Sequence, residues 1–145
     1  MANSIPSALN HIFSIYKPIS RNVYKNELLK IDYSPVKYLE NKYRKIKDLF
    51  GIEKQILIND FKAVSAAIAK KNSPEYYNDL SKLARKNHPN TVLSSFYIGR
   101  YYESSGSYKK AIKAYQEAFI YDEIDEITKG ELLDRAEKLK LENGF

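Results

Sequence analysis

Apolar residues recur every three or four positions along most of the chain, a pattern that predicts amphipathic helices. The clearest case follows Ser34-Pro35, a helix start signal, and ends at Gly51, a residue type favoured just beyond a helix C-terminus. The apolar stripe of this predicted helix consists of Tyr38, Leu39, Tyr43, Ile46, Leu49 and Phe50. The residues before it, 17–32, follow neither a helical nor a strand pattern, apart from one possible turn of helix at 25–30.

Five further segments repeat the helical pattern, and breaker residues separate them. They run from about Leu57 to Lys71, from Ser73-Pro74 to just before Pro89, from Asn90 or Thr91 to Ser105-Gly106, from Ser107 through Ala118 and Phe119, and from about Glu126 onwards. The connections between them are short, which favours antiparallel neighbours. The sequence therefore predicts an all-α fold of antiparallel helical hairpins.

One stretch between Val92 and Asp125 has a recognisable spacing of small and aromatic residues. Its matching positions are Ile98-Gly99, Tyr102, Ala111, Tyr115 and Ala118, while Ser95 and Glu123 stand where a Trp and a Pro are expected. Gly99 and Ala111 are small where two helices must approach closely, and Gly106 allows the tight turn between them.

This spacing resembles the tetratricopeptide (TPR) repeat. The resemblance implies a TPR-like right-handed superhelix with repeats at about 58–91 and 92–125, followed by a C-terminal capping helix at 126–142. The first repeat is degenerate: Ala84 and Pro89 match the spacing, but Tyr77 and Ser81 replace its Ala and its aromatic residue.

In such repeats a partner binds the concave face, which the first helix of each hairpin lines. The residues projected there are Asn59, Lys62, Ala66 and Lys70 from the first repeat, and Leu93, Phe96, Arg100 and Glu103 from the second. Lys62, Lys70 and Arg100 could receive a carboxylate or an acidic peptide. The alternative is that they form a solvated basic face, and the Lys, Asn and Arg set of the TPR carboxylate clamp is not present.

Composition argues against several kinds of active site. The 145 residues contain no Cys, and His11 and His88 lack the spacing of metal ligands. The acidic cluster of Asp122, Glu123, Asp125 and Glu126 lacks the spacing of an EF-hand loop. The chain also has no Gly-x-Ser-x-Gly pentad. We therefore expect no catalytic residues, no metal and no cofactor in this chain.

The net charge of +6 is unevenly distributed. Ten Lys and Arg face five Asp and Glu between Lys17 and Ile56, whereas Asp122–Phe145 holds eight acids and four bases. A basic nucleic-acid-binding domain is one alternative, with Tyr76, Tyr97 or Tyr101 stacking on bases. The absence of a concentrated basic stripe argues against it. No apolar run approaches the roughly 20 residues that span a bilayer.

The order of elements also resembles the C-terminal region of bacterial esterases of the α/β-hydrolase fold. The resemblance lies in a helix at Ser4–Phe13, a linker, a helix at Tyr38–Phe50 ending in Phe-Gly-Ile, and the repeats that follow. It implies that residues 1–33 are the exit from a preceding hydrolase domain and that 34–145 form the TPR-like domain. The catalytic residues would then lie outside this chain.

Two functions follow from this resemblance. The chain would be an interaction or scaffolding domain whose partner is a protein, a peptide or the hydrolase domain itself, or it would form part of the esterase's active-site wall. Self-association is a further option, because TPR arrays usually contain three or more repeats. We expect a cytoplasmic protein if Met1 is the native start, and an exported one if the chain is a fragment of a secreted esterase.

Overall fold

Helices make up most of this protein, as the apolar recurrence predicts. The computed structural model describes residues 15–124 and 127–145, so the helix predicted at Ser4–Phe13 lies outside the described residues. The longer helices are α1 (Pro35–Phe50), α2 (Ile58–Lys70), α3 (Tyr77–Asn87), α4 (Leu93–Ser104), α5 (Tyr108–Glu117) and α6 (Lys129–Asn143). Within these residues, extended pairing is limited to isolated bridges between Thr91 and Asp122 and between Ile124 and Ile127. The all-α prediction is confirmed.

The chain divides into two compact units, Met1–Lys70 and Lys71–Phe145, which we call unit 1 and unit 2. Helices α1 and α2 belong to unit 1, and α3 to α6 belong to unit 2. The division falls inside the predicted repeat 58–91 rather than between residues 33 and 34. The assignment of 1–33 and 34–145 as domains, and the superhelical arrangement of the repeats, stay predictions.

Helix α1 begins and ends where its sequence signals lie. The Ser34 hydroxyl accepts hydrogen bonds from the backbone N–H groups of Val36 and Lys37, at 3.1 and 3.4 Å. Gly51 adopts a left-handed conformation (φ 65°), and its N–H bonds the Lys47 carbonyl. The prediction that Leu49 belongs to the apolar stripe is wrong, because it lies about a quarter-turn from the centre of the buried face and is half exposed.

The segment before α1, for which the pattern was ambiguous, is helical over its central half. A single turn at Arg21–Val23 is capped by the Ser20 hydroxyl and widens into a π-helical turn at Tyr24–Leu28. Leu28 is fully buried. The large side chain anchors a segment whose other residues are mostly polar, which explains why no clear period was visible.

Side-chain contacts establish that neighbouring helices of unit 2 are antiparallel. Between α3 and α4, Tyr77 pairs with Tyr97 while Ser81 pairs with Ser94, so a later residue on one helix meets an earlier residue on the other. The same reversal relates α4 to α5, and α5 to α6. These contacts are Gly99 with Tyr115, Tyr102 with Lys110, Lys109 with Phe145, and Phe119 with Lys129. Unit 2 is thus a run of antiparallel helical hairpins.

The core of unit 2 joins α5 and α6 to the start of α4. Its buried members are Val92, Ala111, Ile112, Tyr115, Ala118, Leu132, Ala136 and Leu139. Two backbone hydrogen bonds close this end of the unit: Val92 N–H donates to the Asp122 carbonyl at 2.9 Å, and Asp122 N–H to the Asn90 carbonyl at 2.8 Å. The loops before α4 and after α5 are therefore tied together.

Two details of the predicted helices need correction. The last helix begins at Lys129 rather than at Glu126, because Thr128 is its cap and accepts a hydrogen bond from Glu131 N–H at 3.2 Å. Phe119, at the end of the helical segment predicted from Ser107, is 62% exposed and does not belong to the apolar face of α5. Helix α5 ends at Glu117 and tightens into a 3₁₀ turn at Ala118–Ile120, which changes the helical period.

Candidate functional site

The residues predicted to bind a partner fall into two sets that belong to different units. Asn59, Lys62 and Lys70 are on α2 in unit 1, where Asn59 and Lys70 are exposed and Lys62 is half-buried. The other four residues, Leu93, Phe96, Arg100 and Glu103, lie on α4 in unit 2. The second set lies in a cluster with further charged and aromatic groups.

Leu93 is a core residue, which corrects its assignment to a binding face. Its side chain is fully buried, and so are Ser94, Ser95, Tyr97 and Gly99 on the same helix. Helix α4 packs against both α3 and α5, so most of its circumference is covered. Tyr97 is 1% exposed and cannot stack on a base, so it is excluded from the three tyrosines that the nucleic-acid alternative offered.

Phe96, Arg100 and Glu103 lie on one face of α4, at the four- and three-residue spacing of successive helical turns. All three are half-buried. The Arg135 guanidinium, from α6, lies 5.4 Å from the centre of the Phe96 ring and 3.7 Å from the Glu103 carboxylate. The Tyr115 hydroxyl, from α5, donates a 2.7 Å hydrogen bond to the same carboxylate. We call these five residues the α4 face.

The two arginines of the α4 face have different surroundings. Arg135 lies close to two carboxylates, Glu103 at 3.7 Å and Glu131 at 4.0 Å. Arg100 has its guanidinium 5.5 Å from the centre of the Tyr77 ring and makes no ion pair within residues 15–124 and 127–145. Its N–H donors are thus available for an external acceptor.

The rings of Tyr77 and Tyr97 pack next to the α4 face and support it. The Tyr77 and Tyr97 rings are stacked with their centres 6.2 Å apart, and the Phe96 and Tyr97 rings meet edge to face at 5.6 Å. Burial raises the pKa of the Tyr97 hydroxyl. Burial and the hydrogen bond to Glu103 do the same for the pKa of Tyr115. Both phenols therefore stay protonated near neutral pH, and Tyr115 serves as a fixed hydrogen-bond donor.

Sequence reasoning placed Tyr115 only in the scaffold and did not single out Arg135 at all. Tyr115 occupies a repeat-signature position, whose packing role hid the function of its hydroxyl group. Arg135 lies 32 residues beyond Glu103 and belongs to a helix predicted only as a cap. No local spacing connects such residues, because Arg135 reaches Glu103 only when α6 packs on α5, the neighbour of α4.

Unit 1 contains a buried polar centre that sequence reasoning also missed. Asp60, fully buried in the first turn of α2, accepts hydrogen bonds of 2.7 Å from Ile19 N–H, the Lys42 ammonium and the Tyr43 hydroxyl. Lys42 also donates to the Lys17 carbonyl at 2.7 Å. One carboxylate thus joins α1, α2 and the segment before them. The sequence did contain a signal, because Asp60 lies four residues before Val64 and eight before Ile68, on the apolar face of α2.

Among the described residues, the remaining candidates are not grouped into a chemical site. Within the part of the chain that the structure describes, no group of His, Asp and Glu side chains is placed to hold a metal ion. Asp122 and Glu123 are exposed, while Asp125, Glu126 and His11 lie outside the described residues. His88 follows the last residue of α3. None of the described helices combines the length and the apolarity that a membrane span needs.

Comparison with known proteins relates most of this chain to part of a longer chain. The structure is similar to the crystal structure of an uncharacterised protein from Capnocytophaga ochracea DSM 7271, with a TM-score of 0.85 and 34% sequence identity. The similarity covers 92% of this chain but 38% of that protein. No protein-family model and no curated protein matches the chain.

Proposed function

We propose that this chain is a non-catalytic, TPR-like interaction domain whose α4 face binds an acidic peptide segment of a partner protein. The observation that carries the proposal is the guanidinium of Arg100. It is half-buried over an aromatic ring and makes no ion pair among the described residues. A guanidinium held in this way can form two parallel hydrogen bonds to a carboxylate.

The surrounding residues suit a peptide better than a small substrate. Phe96 offers a half-exposed ring one helical turn from Arg100, where an apolar side chain of the peptide can pack. Glu103 is already engaged by Tyr115 and Arg135, so it does not neutralise Arg100. The face is built on helices supported by packed aromatic rings, and such a rigid support reduces the entropy lost on binding.

The same proposal extends to a place within a larger protein. The similar crystal structure is a chain of which this sequence covers 38%, which is consistent with a domain joined to other domains. We propose that the remainder of such a protein is an α/β-hydrolase esterase and that this chain is its accessory domain. Hydrolysis of short acyl esters by the chain alone would contradict the non-catalytic assignment.

A peptide array tests the binding face directly. We expect the purified chain to bind acidic peptides with an apolar neighbour above background, and Arg100→Glu to abolish that binding. Lys138→Glu is the matched control, because it makes the same charge change on a residue of α6 whose side chain is 75% exposed. Absence of peptide binding, or equal losses in both variants, would refute the assignment of the α4 face.

A further inference from the structure

Unit 1 contains a cavity of about 580 Å³, a volume typical of small-molecule sites. One wall is apolar and is formed by Ile15, Pro18, Ile19 and Val23. A second, polar wall is formed by residues of α1 between Tyr38 and Asp48. The cavity is distinct from the α4 face, whose residues all belong to unit 2.

The polar wall carries an excess of unpaired positive charge. Lys17, Arg44 and Lys45 are exposed at the cavity and form no ion pair with any described residue. Of the two acids that line it, Glu27 already accepts a hydrogen bond from the Tyr38 hydroxyl at 3.1 Å. Asp48 is the other acid, so the cations outnumber the carboxylates that could neutralise them.

A largely buried cation at the same cavity adds a further donor. The Lys42 ammonium, whose side chain is 10% exposed, donates to Asp60 and to the Lys17 carbonyl, both at 2.7 Å. An ammonium group has three N–H donors, so one remains without an acceptor among the described residues. The group is held in place by its two bonds, which preorganises the third donor.

We propose that this cavity binds an organic phosphate. A carboxylate carries a single negative charge, whereas a phosphate monoester carries about −1.5 to −2 at neutral pH and offers three acceptor oxygens. The monoester therefore matches three unpaired cations better. Arg44 supplies a planar fork of donors for two phosphate oxygens, and Lys17 and Lys45 add point charges. The apolar wall covers the organic part of the ligand.

The test is calorimetric titration of the whole chain with phenyl phosphate, inorganic phosphate and benzoate. We expect phenyl phosphate to bind most tightly, because it alone combines the dianion with an apolar body. The double variant Arg44→Gln/Lys45→Gln should weaken its binding by about tenfold or more, which corresponds to roughly 1.4 kcal/mol. The control, Lys37→Gln/Lys47→Gln, removes two exposed charges from the same helix outside the cavity and should change the affinity less than about twofold.

Amide chemical shifts provide a readout that does not depend on the variants. Phenyl phosphate should perturb the amides of Ile19, Val23 and Arg44 and leave those of α5 and α6 unchanged. Four results would overturn the proposal: no saturable binding, equal weakening in both double variants, benzoate binding as tightly as phenyl phosphate, or inorganic phosphate doing so. Equal binding of benzoate would show that the ligand need not be a dianion, and equal binding of inorganic phosphate would show that it needs no organic part.

Discussion

Gly99 is the residue at which α4 and α5 leave no space for a side chain. A Cβ atom built there would lie 2.2 Å from Cε1 of the fully buried Tyr115 ring. In an unconstrained helix, Gly→Ala is stabilising by about 1 kcal/mol. We predict the opposite sign for Gly99→Ala, a loss of about 1–3 kcal/mol, because the ring must be displaced from a packed core.

Chemical unfolding measures this prediction, and Gly130→Ala is its control. Gly130 is also helical but exposed, and the nearest atom to an added Cβ is 3.9 Å away. We expect Gly130→Ala to be neutral or slightly stabilising. If Gly99→Ala raised the unfolding midpoint as Gly130→Ala does, the close approach of the two helices would be incorrect.

Asp60 is the second residue whose substitution gives a sharp prediction. Asp60→Asn keeps the shape of the side chain but leaves the Lys42 ammonium buried without its counter-ion. Removing one partner of a buried ion pair typically costs about 3–5 kcal/mol. We expect a loss of that order in urea unfolding, and partial recovery when Lys42→Met is added to remove the stranded charge.

The exposed pair of Lys47 and Glu53 provides the comparison for Asp60. Its side chains are 58% and 82% exposed, and surface pairs contribute about 0–1 kcal/mol. Glu53→Gln should therefore leave the unfolding free energy nearly unchanged. If the double variant at Asp60 and Lys42 were no more stable than Asp60→Asn alone, the buried charge would not be the cause of the loss.

At the scale of a helix, the contribution of the Ser34 hydroxyl to stability can be measured by comparison with a cap residue that makes no side-chain hydrogen bond. Ser34→Ala removes an acceptor for two backbone N–H groups, and losses of about 1 kcal/mol are typical. Ser107 precedes α5 in the same position but makes no side-chain capping bond, so Ser107→Ala should cost less. Thermal unfolding of both variants compares them, and equal losses would contradict the role of the Ser34 hydroxyl.

The elements that could be predicted from sequence are those with local causes. Ser34, Gly51 and Gly106 act on backbone within a few residues of themselves, so their patterns are visible in the chain. Leu93 and Arg135 depend instead on which helices pack together. Burial of Leu93 requires that α4 be covered on two sides. The contact of Arg135 with Phe96 requires α6 to pack on α5, from which the Arg135 side chain reaches α4. The spacing of apolar residues within one helix cannot predict which other helices pack against it.

At the scale of the whole molecule, the net charge is confined to one unit. Residues 1–70 contain twelve Lys and Arg against six Asp and Glu, whereas residues 71–145 contain twelve of each. The whole formal charge of +6 therefore belongs to unit 1. From the sequence, the binding role suggested by this uneven charge was nucleic-acid binding, and the lack of a concentrated basic stripe argued against it. The cavity of unit 1 provides a local site at which part of this charge can be used.

Alkaline pH tests the packing of both units at once through their buried phenols. Burial raises the pKa of Tyr43 in unit 1, and of Tyr97 and Tyr115 in unit 2, above the ordinary value of about 10. Above that value the unfolded chain loses phenolic protons that the folded chain retains. Their contribution to stability is therefore fully present below about pH 10 and is lost as the pH rises further, by up to about 1.4 kcal/mol per pH unit for each group.

Lys42 acts in the opposite direction over a different range. Burial lowers the pKa of Lys42, although the neighbouring Asp60 favours the charged form. Between that lowered pKa and the ordinary value of about 10.4, the unfolded chain binds more protons than the folded chain. Over this range the free energy of unfolding therefore rises with pH. We thus expect the urea midpoint to fall only once the pH passes about 10. Tyr115→Phe should reduce the steepness of that fall, whereas Tyr33→Phe, at an exposed phenol, should not. The measurement is a pH titration that follows phenolate absorbance together with the helical circular dichroism signal. If all thirteen tyrosines ionised in one step near pH 10 while the helices stayed intact, the burial of these rings would be contradicted.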